Sequence, residues 1–96
     1  MKILFSINAK LDFDNLLNYL TSQWGYTIAE KFKSKTKYIL QLISLFPYLG
    51  VEEVVEKQIR SYALTKQIRV FYTIKKEKII ILAFIDVRQN PKNKKY

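Results

Sequence analysis

Arg69 and Arg88 are the residues of this chain best placed to do chemistry, with Arg60, Lys66, Lys92 and Tyr96 in support. Arg69 opens the run Arg69-Val70-Phe71-Tyr72, and Arg88 follows the apolar run Ile79 to Ile85, so neighbouring extended structure fixes each of them. A guanidinium held in this way can meet a phosphate or a carboxylate through two parallel hydrogen bonds, which a lysine ammonium cannot do. The chain has no cysteine and no histidine. Zinc sites, thiol nucleophiles and imidazole bases are thereby excluded, and any catalysis falls to Lys, Arg, Tyr, Asp, Glu, Ser or Thr. Gly25 and Gly50 are the only glycines and are isolated from one another, so no glycine-rich phosphate loop is present. Nothing in these residues asks for a metal, a cofactor or a small-molecule substrate.

The charge is unevenly spread. From Lys57 to Tyr96 eleven Lys and Arg face two acids, Glu77 and Asp86, whereas Met1 to Glu56 carries six of each sign. The net charge of +9 therefore lies wholly in the second stretch, 57–96. A basic region of this kind is the footprint of a polyanion or an acidic protein partner. Taken singly, Lys75, Lys76, Lys78, Lys92, Lys94 and Lys95 read as solvated surface. Seven residues, Ile79 to Ile85, make the longest apolar run, well short of the roughly 20 needed to cross a bilayer. Ile3 to Ile7 is too short for the core of a secretory signal. A cytoplasmic protein with no membrane partner is expected, and the lack of cysteine fits that compartment. With 96 residues, 49% apolar content, two glycines and two prolines, one domain over 1–96 with a single core is expected.

The elements that must position these residues follow from hydrophobic spacing. Lys2 to Ile7 predicts a short strand, and Phe13, Leu16, Leu17, Leu20 and Trp24 form one helical stripe. Gly25 breaks it. Thr27 to Glu30 matches a Thr-x-x-Glu capping box opening a second helix, whose stripe is Ala29, Phe32, Thr36, Ile39, Ile43 and Phe46. Pro47 ends that helix. The short link at Trp24 to Tyr26 makes the pair an antiparallel hairpin over Lys10 to Phe46, with Trp24 as an apolar anchor at its tip. Gln58 to Leu64, Ile68 to Lys75 and Lys78 to Asp86 predict an antiparallel meander, joined through Thr65-Lys66-Gln67 and Lys76-Glu77. In the middle strand Ile68, Val70, Tyr72 and Ile74 face the helices, which makes Tyr72 a core aromatic, and Arg69, Phe71, Thr73 and Lys75 face away. Arg69 then stands where it can pair with Asp86 or Glu77 across neighbouring strands. The third strand, apolar on both faces, belongs in the sheet interior. Asn90-Pro91 reads as a terminating turn.

The fold class is therefore α+β: an N-terminal strand, then a helical hairpin packed on a three- to four-stranded, mainly antiparallel sheet. This order, with Ala9, Trp24-Gly25, Ala29-x-x-Phe32, Phe46-Pro47-x-x-Gly50, Arg69-Val70-Phe71-Tyr72 and Arg88-Gln89-Asn90-Pro91 in sequence, resembles the RelE/ParE superfamily of bacterial type II toxin–antitoxin toxins along essentially the whole chain. The resemblance implies a toxin restrained by a cognate acidic antitoxin, and two activities. One is ParE-like inhibition of DNA gyrase with growth arrest, which the long hairpin and the Arg-Gln-Asn-Pro ending favour slightly. The other is RelE-like, ribosome-dependent and metal-independent cleavage of mRNA. In that case Arg69 would clamp the scissile phosphate, Arg60 and Lys66 would add charge, Lys66 serving as base only with a strongly depressed pKa, and Arg88 or Lys92 with Tyr96 would stand near the late arginine and tyrosine of RelE-like enzymes. A basic binding module without toxicity is the third reading.

Overall fold

The computed structural model describes residues 1–88. Strand β1 (Lys2–Phe5) leads into helices α1 (Ile7–Trp24) and α2 (Tyr26–Leu45), followed by strands β2 (Val51–Val54), β3 (Ile59–Ala63), β4 (Ile68–Lys75) and β5 (Lys78–Asp86). The sheet order is β1-β5-β4-β3-β2. All pairs are antiparallel except β1 with β5, which run parallel with Ile3 opposite Ile79. The α+β class, the hairpin and the meander match the sequence reading. The sheet is wider, at five strands, because Val51–Val54 pairs with β3.

Three local details depart from the spacing argument. Ser6 is not in a strand: its hydroxyl oxygen accepts the Ala9 N–H at 3.0 Å and caps α1, which therefore starts well before Lys10. The Thr27 capping box does not form. Gly25, at φ +93, closes α1 through its N–H to the Thr21 carbonyl at 2.9 Å and also serves as the N-cap of α2, a backbone conformation that glycine adopts without strain. Glu30 then turns to the Tyr26 hydroxyl, and that hydrogen bond holds the Tyr26 proton on above its ordinary range. Phe46 falls off the buried stripe. It is 59% exposed, since the helix ends at Leu45 and the chain turns away at Pro47.

The core lies between the hairpin and one face of the sheet. Phe32, Ile39 and Ile43 of α2 meet Ile68, Val70 and Tyr72 of β4 and Ile79, Ile81 and Phe84 of β5, with Phe13, Leu16 and Leu20 of α1 half-buried over them. A file of aromatic rings, Phe5, Phe84, Phe13 and Phe32, links β1 to both helices at centroid spacings of 5.1 to 6.0 Å. A second, smaller cluster of Ile59, Phe71 and Ala83 with Leu82 and Ile85 sits on the opposite face. One irregularity lets β5 serve both. Phe71 pairs with Ala83 but Tyr72 pairs with Ile81, so Leu82 is an extra residue. This bulge switches the side-chain alternation: Ile79 and Ile81 face the helices before it and Phe84 faces them after it. The Leu82 carbonyl accepts from the Ser6 hydroxyl at 3.2 Å and the Asn8 amide at 3.3 Å, which pins the start of α1 to the bulge.

Candidate functional site

The basic residues singled out from the sequence do not converge on one point. Arg60 pairs with Tyr72 in register and therefore shares the helix-facing side, while Arg69 stands beside Phe71 on the other side of β4. Arg60 is engaged through both terminal nitrogens. Its guanidinium donates to the carbonyls of Gly50 at 2.8 Å and Tyr48 at 3.3 Å, pairs with Glu52 at 3.0 Å, and lies 4.9 Å from the centre of the Tyr48 ring. Those bonds tie the loop after α2 to β3. Tyr72 works on the same loop from below. Its hydroxyl donates to the Pro47 carbonyl at 2.8 Å and accepts the Gly50 N–H at 2.9 Å, as expected of a core aromatic with a polar tip. Burial raises the Tyr72 pKa, partly opposed by the Gly50 bond and by Arg60.

Arg88 carries an internal partner too. Its Nε and Nη2 meet the two carboxylate oxygens of Asp86 at 3.0 and 2.7 Å, and its backbone N–H reaches the same carboxylate at 2.9 Å. The fork is therefore filled by the chain itself, although 61% of the Arg88 side chain is exposed. Both residues line a groove of about 470 Å³ between the hairpin tip and the end of the sheet, where Tyr19, Trp24, Lys31 and Lys35 also stand. Trp24 is no buried anchor: it is 67% exposed at the mouth of this groove.

Arg69 is arranged differently. Asp86 is taken by Arg88, and Arg69 faces Ile85 rather than an acid across the β4–β5 pair, so neither cross-strand ion pair expected from the sequence forms. Its Nε donates to the Ser61 hydroxyl at 3.0 Å, and that hydroxyl donates to Glu53 of β2 at 2.5 Å. Among the described residues the two terminal nitrogens of Arg69 take no partner. Among the described residues the result is a guanidinium oriented through its Nε, with its forked end left for an anion. Lys66 is exposed in the turn that closes β3 and β4, at the same end of the sheet as Arg69 and Arg88. Lys92, Tyr96 and the Asn90-Pro91 turn lie outside the described residues.

The family profile of the ParE toxin of type II toxin–antitoxin systems, parDE, matches residues 3–91. The chain belongs to the ParE toxin family. No curated protein matches this ParE-family sequence. Among solved structures it is similar to the chromosomal ParDE system from P. aeruginosa, at 19% identity and a TM-score of 0.75 over 91% of this chain and 96% of that one. A YoeB/ParE toxin from Agrobacterium tumefaciens follows at 11% identity and a TM-score of 0.66 over 90% and 98%. A heterotetrameric YoeB–YefM toxin–antitoxin complex from Staphylococcus aureus stands at 19% and 0.61 over 88% and 94%.

Within this ParE-family toxin, Ser61 and Glu53 are the site residues that sequence reasoning missed. Ser61 was discoverable, because the turn at Thr65 to Gln67 sets Ala63 opposite Arg69 and so brings Ser61 to the same face one pair further along. Glu53 was not. It reaches Ser61 only through an irregular register between β2 and β3. Electrostatically the Asp86 carboxyl sits below the usual aspartate range, chiefly through its bonds from the Arg88 side chain. Among the described residues no three of His, Cys, Asp or Glu cluster as a metal would need, and no helix is long and apolar enough to cross a membrane.

Proposed function

We propose that this ParE-family toxin acts in the cytoplasm by binding rather than by cleavage, arresting growth through inhibition of DNA gyrase until an acidic antitoxin covers it. Residues 1–96 act as one domain in this reading. The observation that carries it is the internal engagement of Arg60 and Arg88. A nuclease without histidine needs several cations free to converge on one phosphate, yet Arg60 is spent on the Gly50 loop and Arg88 on Asp86, and Arg60 and Arg69 occupy opposite faces of the sheet. The exposed Trp24 and Tyr19 beside Arg88 instead make a surface suited to a protein target, where aromatic and arginine side chains contribute most. Arg69, Arg88 and Lys66, with Lys92, are the proposed contacts.

A second reading rests on one observation, the chain Arg69–Ser61–Glu53. An anion held by the open end of Arg69 would lie on the same face as a carboxylate, the pair that RNA cleavage needs for phosphate binding and for taking up the 2′-hydroxyl proton, with Lys66 and Tyr96 as the further groups.

Induced expression with parallel readouts separates the two. Loss of negative supercoiling with intact transcripts is the expected result. Transcript cleavage that disappears in Glu53→Gln, with supercoiling unchanged, would establish the second reading in its place.

A further inference from the structure

Helix α2 carries four lysines, Lys31, Lys33, Lys35 and Lys37, and one acid, Glu30, which is turned to the Tyr26 hydroxyl. The lysines are exposed, and among the described residues none of them has a hydrogen bond or an ion pair within the chain. At about 3.6 residues per turn, Lys31 and Lys35 form one row and Lys33 and Lys37 another, roughly 200° round the helix from the first. Between the rows, on the outward side, stand Ser34, Tyr38 and Gln41, all exposed. Phe32, Thr36, Ile39 and Ile43 are buried on the opposite side. Each row also borders a hollow. Lys31 and Lys35 line the groove that holds Trp24 and Arg88, and Lys33 and Lys37 line a second groove, of about 510 Å³, against β1. The helix is therefore a ridge with a cationic shoulder on either side.

We propose that α2 binds duplex DNA, with its ridge in the major groove and one lysine row on each phosphate backbone. An α-helix with its side chains is about 10 to 12 Å across, and the major groove is about 12 Å wide, so the two rows meet the two walls. Ser34, Tyr38 and Gln41 then face the base edges. The disposition of charge selects the occupant. A single acidic peptide strand can follow one shoulder but not both, because the helix stands between them, whereas a duplex presents two negatively charged walls. A second copy of this chain would bring the same lysines against these, on a body of net charge +9, and like charges placed across an interface oppose association. Lysine ammonium groups lack the fork of arginine, so the contact reads charge and groove width rather than sequence. Binding to bare DNA requires neither gyrase nor an antitoxin, and failure of the test below leaves the supercoiling test untouched.

The probe is a fluorescent DNA duplex of mixed sequence, titrated with the intact, antitoxin-free toxin at a series of salt concentrations. Affinity should fall as salt rises. Each double variant, Lys31→Gln/Lys35→Gln or Lys33→Gln/Lys37→Gln, should flatten the slope of log affinity against log salt by about 2, since each lost phosphate contact removes roughly 0.9. Lys75→Gln/Lys76→Gln takes the same charge from the exposed turn between β4 and β5 and should leave the slope unchanged. An RNA duplex of the same sequence should bind more weakly, because its major groove is too deep and narrow for a helix. All six substituted positions are exposed, and far-UV circular dichroism verifies that the variants are folded. A slope flattened equally by the Lys75/Lys76 pair, or by only one of the α2 pairs, would overturn the proposal, and so would equal affinity for the RNA duplex. A toxin that binds polyglutamate through these lysines but leaves the DNA duplex free would overturn it in favour of an acidic protein segment.

Discussion

Gly50 lies so close to Tyr72 that a β-carbon on it would stand 2.7 Å from the phenol oxygen, and equally 2.7 Å from the Ser61 carbonyl. Glycine is required there by contact rather than by backbone angle. Gly50→Ala must push the loop off both Tyr72 and β3, and overpacking of this sort costs about 1 to 3 kcal/mol. Tyr72→Phe leaves the Gly50 N–H and the Pro47 carbonyl without their partner inside the fold, at a cost of roughly 1 to 3 kcal/mol. Chemical denaturation should show each loss singly and a double variant less destabilised than their sum, because both act on one contact.

Arg60→Met should behave as a stability variant. It removes the bonds to Gly50, Tyr48 and Glu52, and losing hydrogen bonds from a charged donor typically costs about 1.5 to 3 kcal/mol. At a temperature where the variant is fully folded, growth arrest should equal that of the parent. Growth arrest lost in a folded Arg60→Met protein would instead make Arg60 a target contact.

Arg88→Lys keeps the charge and removes the fork that Asp86 fills. If Arg88 reads its target through geometry, toxicity should fall in this variant while Asp86→Asn, which frees the fork, retains or raises it. Equal toxicity in all three proteins would reduce Arg88 to a source of charge.

The same pair sets a pH dependence. The folded Asp86 carboxyl has a lowered pKa, so in acid the unfolded chain takes up this proton first. Its stabilising contribution is complete above the ordinary aspartate value of about 4 and disappears as the pH drops through the lowered folded value. Denaturation midpoints followed from neutral pH to about pH 3 should fall less steeply for Asp86→Asn than for the parent.

Two truncations grade the core. Phe32 is 6% exposed and packs on Phe13, so Phe32→Ala should cost about 3 to 5 kcal/mol. Leu20 is only half-buried, and Leu20→Ala belongs at or below the low end of the roughly 2 to 5 kcal/mol range. Equal losses would mean that the hairpin packs more tightly at its tip than the accessible surface shows.

Much of this architecture was legible because burial leaves a period in the sequence. Phe32, Ile39 and Ile43 repeat at helical spacing, and Val70, Tyr72 and Ile74 alternate as one face of a strand. What escaped was carried by contacts that have no period. β2 is short and holds two glutamates, Glu52 and Glu53, so nothing marks it until β3 lies beside it. Ser6 reads as the end of a strand until the Leu82 bulge gives its hydroxyl a partner. The run Ile79 to Ile85 announced a strand apolar on both faces, but not the extra residue that changes which face each side chain serves. Of the site, the arginines were visible by type and position, whereas their internal partners were not: Asp86 and Arg88 are near neighbours in sequence, but Arg60 meets Gly50 and Glu52 only through the tertiary fold.

The parallel pairing of β1 with β5 also imposes an order in time. Ile3 waits for Ile79, so during synthesis the helical hairpin is available long before the sheet that it covers can close, and contacts of such wide sequence separation form late and slowly. While β5 is still missing, the Ser6 and Asn8 side chains lack the Leu82 carbonyl that anchors α1. A freshly made molecule thus lacks a closed sheet until its last described strand is in place. An antitoxin that engages the hairpin during that interval would meet the toxin before its sheet is complete.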